Sequence, residues 1–352
     1  MGRPVRAPAR LVPPLPDLRH NPALPTPHWP LFDVYPSLAE QLQPLPLCTL
    51  PSPVEALTAI GPQAWVKRDD VIHPQYGGNK MRKLEFVASE LLRRGIRHVY
   101  SIGGTGTNFG VATALVLREL GIELTLFLFR QPPSAYVEHN QQLMRQYGAR
   151  LHHFDSLGAA ALAWGLHPRR LDPRCYFLAA GGSSPVATFG YINAAFELRE
   201  QIERGTCPPP TQIIVPAGSS GTLAGLTLGC SLAGMATQVI GVRVSPEKLG
   251  FIDICTPAVS RRMMQFAADL LEQHGHRGRI RVPQPILIGD WFGPGYGFST
   301  PATEAAIRHG TSVGLTLDST YTGKAFGEFL KRLQATQAPL LYWATLNSQA
   351  SP

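Results

Sequence analysis

Short apolar strands alternate with helical segments along most of this chain, and several strands run straight into glycine-rich loops that open helices. His98-Val99-Tyr100-Ser101-Ile102 leads into Gly103-Gly104-Thr105-Gly106-Thr107-Asn108-Phe109-Gly110, then a helix over 111–120 that Gly121 stops. Cys175 to Ala180 leads into Gly181-Gly182-Ser183-Ser184 and a helix from Gly190 to Glu203. Gln212 to Pro216 leads into Ala217-Gly218-Ser219-Ser220-Gly221-Thr222 and a helix to about Leu232. Strands separated by helices pair in parallel, so the pattern predicts an α/β chain with open, mostly parallel sheets and flanking helices. In such sheets ligands collect beyond the carboxyl ends of the strands, and the free N–H groups of helix starts attract anions there.

At 352 residues the chain is long enough for about two domains of ordinary size. Residues 1 to about 35 are rich in proline and arginine, which predicts an irregular arm or a segment wrapped on the surface. Ser37 to Leu42 reads as a short helix with Ser37 as N-cap, and Pro257 to His274 as a long one capped by Thr256. Leu315–Leu317 and Leu340–Trp343 read as strands.

No run of about 18 or more apolar residues occurs, so a membrane span is not expected. No apolar signal segment follows the first arginines. Five scattered cysteines, without metal-ligand spacing, suit a reduced cytoplasm and predict no metal site. The net charge of +8 is spread thinly, with no basic stripe interleaved with aromatics, which argues against a nucleic-acid partner.

In Tyr76-Gly77-Gly78-Asn79-Lys80-Met81-Arg82-Lys83-Leu84-Glu85 a lysine stands where a glycine-rich turn meets a helix running from Met81 to Leu92. A helix start disfavours a cation. Two readings follow: a neutral or imine-forming amine, or a solvated lysine with Arg82 and Lys83 as surface neighbours. Ala217 to Thr222 carries two glycines and three hydroxyls before a helix, the make-up of a phosphate cup, although a plain capped turn has similar residues. Gly104 to Gly110 also invites a dinucleotide reading, with Arg130 placed for a 2′-phosphate, which would make the chain an NADP-dependent reductase. That reading leaves Lys80 and the cup without a role. Lysine, cup and crevice together point to pyridoxal 5′-phosphate.

At this level the chain resembles the D-cysteine desulfhydrase and 1-aminocyclopropane-1-carboxylate deaminase family, pyridoxal-phosphate enzymes of the tryptophan-synthase-β fold type (fold type II). The resemblance runs from Pro51 to about Phe326. It is carried by Val66-Lys67-Arg68-Asp69-Asp70, Gly77 to Phe86, Ser101 to Gly104, Gly181 to Ser184 with Gly190-Tyr191, Ala217 to Gly225, Pro294-Gly295-Tyr296-Gly297 and Tyr321-Thr322-Gly323-Lys324-Ala325. It implies Lys80 as the lysine bonded to the cofactor and Asn108 as donor to its phenolate. Gly218, Ser219, Ser220, Gly221 and Thr222 would bind the phosphate, and Tyr296 and Tyr321 would be the active-site tyrosines. Thr107 would orient or relay, at a helix start that offers N–H groups to the substrate carboxylate.

Thr322 stands where the deaminases carry glutamate. A neutral hydroxyl holds a pyridinium weakly, which suits β-elimination better than ring opening. Thr345 is a second candidate partner for the ring nitrogen. Thr107 itself replaces the family's serine, and Ala344-Thr345-Leu346-Asn347 lacks the family's two glycines, so a cofactor-binding protein with altered or lost catalysis is an alternative.

The expected organisation is a proline-rich extension over 1–45, a large cofactor domain from 46–82 and 180–352, and a small domain over 83–179. The expected substrate is a small, D-cysteine-like amino acid, and the expected assembly a homodimer.

Overall fold

The computed structural model describes residues 28–249 and 252–348; the expectation for residues 1–27 lies outside them. The extension does not stay irregular up to residue 35. Leu31–Val34 (α1) and Pro36–Leu42 (α2) are helical, and Leu31, Tyr35, Leu38 and Leu42 bury their side chains against Phe189, Phe196 and Leu271. Ser37 is not the N-cap of α2. Tyr35 holds that position and Pro36 the first helical one, where the fixed φ of proline fits and its missing N–H costs nothing. Pro257–Gln273 has the expected cap, with Thr256 accepting from Val259 N–H.

Two sheets carry the molecule. In the first, β1 (Val54–Ala56) pairs antiparallel with β2 (Ala64–Arg68). The order continues through β12 (Leu340–Ala344), β7 (Gln212–Ala217), β8 (Gln238–Arg243) and β11 (Ile286–Ile288), all parallel. The second is wholly parallel, in the order β5 (Arg150–Phe154), β4 (Glu123–Phe129), β3 (His98–Gly104), β6 (Cys175–Leu178). The parallel sheets expected from the alternation are present. A two-stranded ribbon, β9 (Lys248–Leu249) with β10 (Ile252–Asp253), is extra.

Leu315–Leu317 forms no strand. Leu315 N–H is committed to Gly310 O at the end of the helix Pro301–Ser312 (α10), and Leu315 packs into the core instead of extending a sheet.

The helix α3 (Asn79–Arg93) starts two residues before the expected Met81, which puts Lys80 in its first turn. It packs on both α4 (Asn108–Glu119) and α7 (Thr188–Glu203), and the expected domain limit between residues 82 and 83 falls inside it. The turn before it has no room for side chains. A Cβ on Gly77 would sit 2.0 Å from Asp70 O, and one on Gly78, whose φ is +98°, would sit 2.7 Å from Thr345 O. Gly77 N–H donates to Asn347 Oδ1 at 2.7 Å and Asn79 N–H to Thr345 O at 3.1 Å. The segment after β12 thus ties down the lysine turn.

Candidate active site

A cavity of about 560 Å³ opens where the carboxyl ends of β3, β4 and β7 meet the start of α3. Lys80, Thr107, Asn108, Gly218, Ser219, Ser220, Gly221, Thr222, Tyr296, Tyr321, Thr322 and Thr345 all line it. Residues spread over more than 260 positions therefore face one space.

Lys80 Nζ donates to Asn79 Oδ1 at 2.8 Å. Burial pushes its pKa down to about 8, with the Asp318 carboxylate pulling the other way. Such an amine is partly neutral near physiological pH and can act as a nucleophile. Asn79 Nδ2 donates to Thr222 Oγ1 at 3.1 Å, so the lysine turn and the cup are tied side chain to side chain.

Arg82 and Lys83 are not surface neighbours of Lys80; both are buried. Lys83 stands one turn beyond Lys80 on the cavity side. Among the described residues its Nζ has only long contacts, 3.4 Å to Gly181 O and 3.5 Å to Ser183 Oγ, and burial pushes its pKa well down. It lies 3.2 Å from where a Gly221 Cβ would be.

The cup is made by two junction loops facing each other. Ser183 Oγ and Ser219 Oγ are 2.7 Å apart, and Ser183 Oγ accepts from Gly221 N–H at 3.2 Å. Ser220 sits in the left-handed region with φ +63°, just before α8 (Gly221–Leu232). A Cβ on Gly181 would lie 2.2 Å from Ser219 Oγ. Hydroxyls, a helix start and an under-partnered lysine fit a phosphate monoester. The sequence reading singles out neither Lys83 nor Ser183 as ligands. The signals were there, a lysine at i+3 from Lys80 and a second Gly-Gly-Ser-Ser junction.

On the opposite wall, Asn108 Oδ1 accepts from Asn140 Nδ2 at 2.9 Å, from Tyr76 OH at 3.2 Å and from Tyr136 OH. Three donors on one carbonyl oxygen fix the amide and leave its NH₂ as the group for the cavity. This fits a donor to a phenolate oxygen. Tyr296 OH and Tyr321 OH bond each other. Burial pushes Tyr296 up to about 12 and Tyr321 well above its ordinary value, so both are neutral phenols.

Thr322 Oγ1 accepts from Asp318 N–H at 2.7 Å, so its own proton is available to a further acceptor such as a ring nitrogen. Asp318, which sequence reasoning does not single out, is the one carboxylate among the described residues lining the cavity. Its Oδ1 accepts from Tyr321 N–H at 2.5 Å, its Oδ2 has no hydrogen-bond partner among the described residues, and burial raises its pKa. Thr107 caps α4, accepting from Gly110 N–H at 3.2 Å. Its methyl lies where side chains at positions 103 and 110 would be, 2.9 and 2.5 Å from the would-be Cβ atoms, so two glycines make room for threonine. Arg130, the candidate 2′-phosphate ligand, is out on the surface and faces Asp155 at 3.5 Å.

Behind α3 lies a sealed ionic network. Arg82 bonds Asp69 at 2.8 Å and Glu197 at 2.9 Å, Lys67 Nζ reaches Glu197 at 2.5 Å, and Tyr191 OH and Trp343 Nε1 each donate to Asp69 at 2.7 Å. Burial alone would raise Glu197, but the Arg82 and Lys67 charges outweigh it and hold the carboxyl at about 2.

A lysine of lowered pKa, an anion cradle beside it and an uncharged hydroxyl lining the same cavity fit a phosphorylated pyridine aldehyde. The chain belongs to the pyridoxal-phosphate dependent enzymes, whose family profile matches residues 39–339, within the D-cysteine desulfhydrase and 1-aminocyclopropane-1-carboxylate deaminase group. It is 30% identical over 294 residues to a D-cysteine desulfhydrase of Klebsiella pneumoniae, covering 80% of this chain and 85% of that one. It is 32% identical over 311 residues to the nocardicin C-9′ epimerase of Nocardia uniformis, covering 86% and 91%. The crystal structure of a 1-aminocyclopropane-1-carboxylate deaminase homologue superposes with a TM-score of 0.74 at 27% identity, over 91% of this chain and 95% of that one. Among the described residues no helix is long and apolar enough to cross a membrane.

Proposed function

We propose that the protein catalyses α,β-elimination from a D-cysteine-like amino acid, giving a keto acid and ammonia, with the cofactor held through Lys80. The observation that carries this is the pairing of a lysine whose pKa falls to about 8 with a phosphate cradle in one cavity. Gly218 to Thr222, Ser183 and Lys83 hold the phosphate, and Asn108 holds the phenolate oxygen. When bound, the cofactor supplies a sink for the α-carbon electrons; Thr322, being uncharged, leaves that sink weak, which suits a reaction whose leaving group carries electrons away. Lys80 Nζ moves the α-proton. Lys80 suits that task better than a tyrosinate would, since Tyr296 and Tyr321, whose hydroxyls bond each other, keep their protons. The N–H groups at the start of α4 face the carboxylate.

The division into a larger unit (46–82 with 180–352) and a smaller one (83–179), a homodimer and a cytoplasmic setting belong to the same proposal. The five free cysteines fit a reducing compartment.

The test is keto-acid release from D-cysteine, β-chloro-D-alanine, D-serine and their L-forms by the cofactor-loaded protein. Release from the D-forms is expected. No release from any of them overturns the elimination, while a borohydride adduct on the Lys80 peptide would still uphold the cofactor site.

A further inference from the structure

The cavity continues past Lys80 to a wall with a different character. The cradle is built from the loops that follow β6 and β7, whereas another stretch of the lining comes from β3, β4 and β6 themselves and from the helix Leu157–Gly165 (α6). That stretch is Ile102, Phe129, Leu157, Ala161, Trp164 and Phe177, with no charged side chain and the Trp164 indole N–H as its one polar side-chain group. Leu157, Ala161 and Trp164 fall at i, i+4 and i+7, one stripe of α6. The Trp164 ring stacks on Phe177 at 4.9 Å and lies 5.0 Å from Tyr100, so its position is fixed. Leu157, Ala161, Trp164 and Phe177 are nevertheless only half-buried. Rigid apolar surface left open beside a reactive amine is a place for apolar ligand surface.

Resting on the function proposed above, we infer that the substrate is a cysteine whose sulfur carries an alkyl or aryl group, and that α6 with the ends of β3, β4 and β6 forms the pocket for that group. The carbon–sulfur bond breaks, the sulfur leaves with the bonding pair and ends as a thiol, and water replaces the nitrogen at the α-carbon. One conjugate and one water give one thiol, one pyruvate and one ammonia, with no oxidant or reductant.

The experiment compares kcat/KM for S-benzyl-cysteine, S-phenyl-cysteine and free cysteine, each as D- and L-forms, on cofactor-loaded protein. The conjugates should be preferred by about tenfold or more. Filling the pocket with Ala161→Phe, or removing its flat wall with Trp164→Ala, should each cut that preference. A preference of one or less, or one that neither variant moves, overturns the pocket. If the loaded protein turns over nothing, only the elimination has failed, and calorimetry decides the pocket. S-benzyl-cysteine binding about tenfold more tightly than alanine upholds it, and equal binding overturns it.

Discussion

Lys67 is buried and Lys80 half-buried, and desolvation lowers the pKa of each, yet they are opposites. Lys67 has a full set of partners: Glu197, Gln201 and Ser52 O, all within 2.8 Å. Lys80 has one amide oxygen and an open cavity. Arg82 stands two residues from Lys80 and is turned into the sealed network, while Lys83 is turned to the cradle. One turn of helix thus holds both a structural cation and two amines with donors to spare. A buried charge with every donor used holds the fold together; one with donors to spare is there for chemistry.

Three experiments bear on that contrast. The largest effect is expected from Lys80→Met, which should cut keto-acid release roughly 10³-fold or more and remove the visible band at about 410–430 nm. Compared without cofactor, its melting temperature should match that of the unchanged protein, because no ion pair is lost. A band that survives would end the assignment of Lys80. Next, Glu197→Ala leaves Lys67 and Arg82 short of a carboxylate and should lower stability by about 3–5 kcal/mol in denaturant unfolding. A loss near zero would mean that the network is not sealed. The smallest effect is one of pH. A protonated amine cannot attack an aldehyde, so cofactor uptake by cofactor-free protein should climb with pH and level off above about 8, well short of the ordinary lysine value of 10.5. Uptake still rising at pH 10 would show that Lys80 is not desolvated.

What could be read from the chain alone was what neighbours in sequence decide. The strand-to-loop junctions, the lysine turn and the Thr256 cap are local signals, and the structure has each of them. The family motifs gathered the lining residues, although they lie far apart along the chain. What escaped depends on which way a side chain turns once distant elements meet. Lys83 and Ser183 come together across 100 positions, and Arg82 meets Glu197 across 115. Ser37 was an error of another kind: serine is a good cap, but the proline before it had already claimed the first helical position. The room for threonine in place of serine at 107 likewise comes from Gly103 and Gly110, which flank its methyl in space.

The lysine turn rests on the backbone at Thr345 and the side chain of Asn347, and β12, just before them, lies between β2 and β7 in the middle of its sheet. Synthesis makes these parts more than 260 residues apart. A ribosome therefore releases Lys80 long before the groups that set its position exist, and the emerging chain has a gap where β12 will go. Vitamin loading must be a late event in the life of each molecule, after translation has passed residue 347 and the central strand has slotted home.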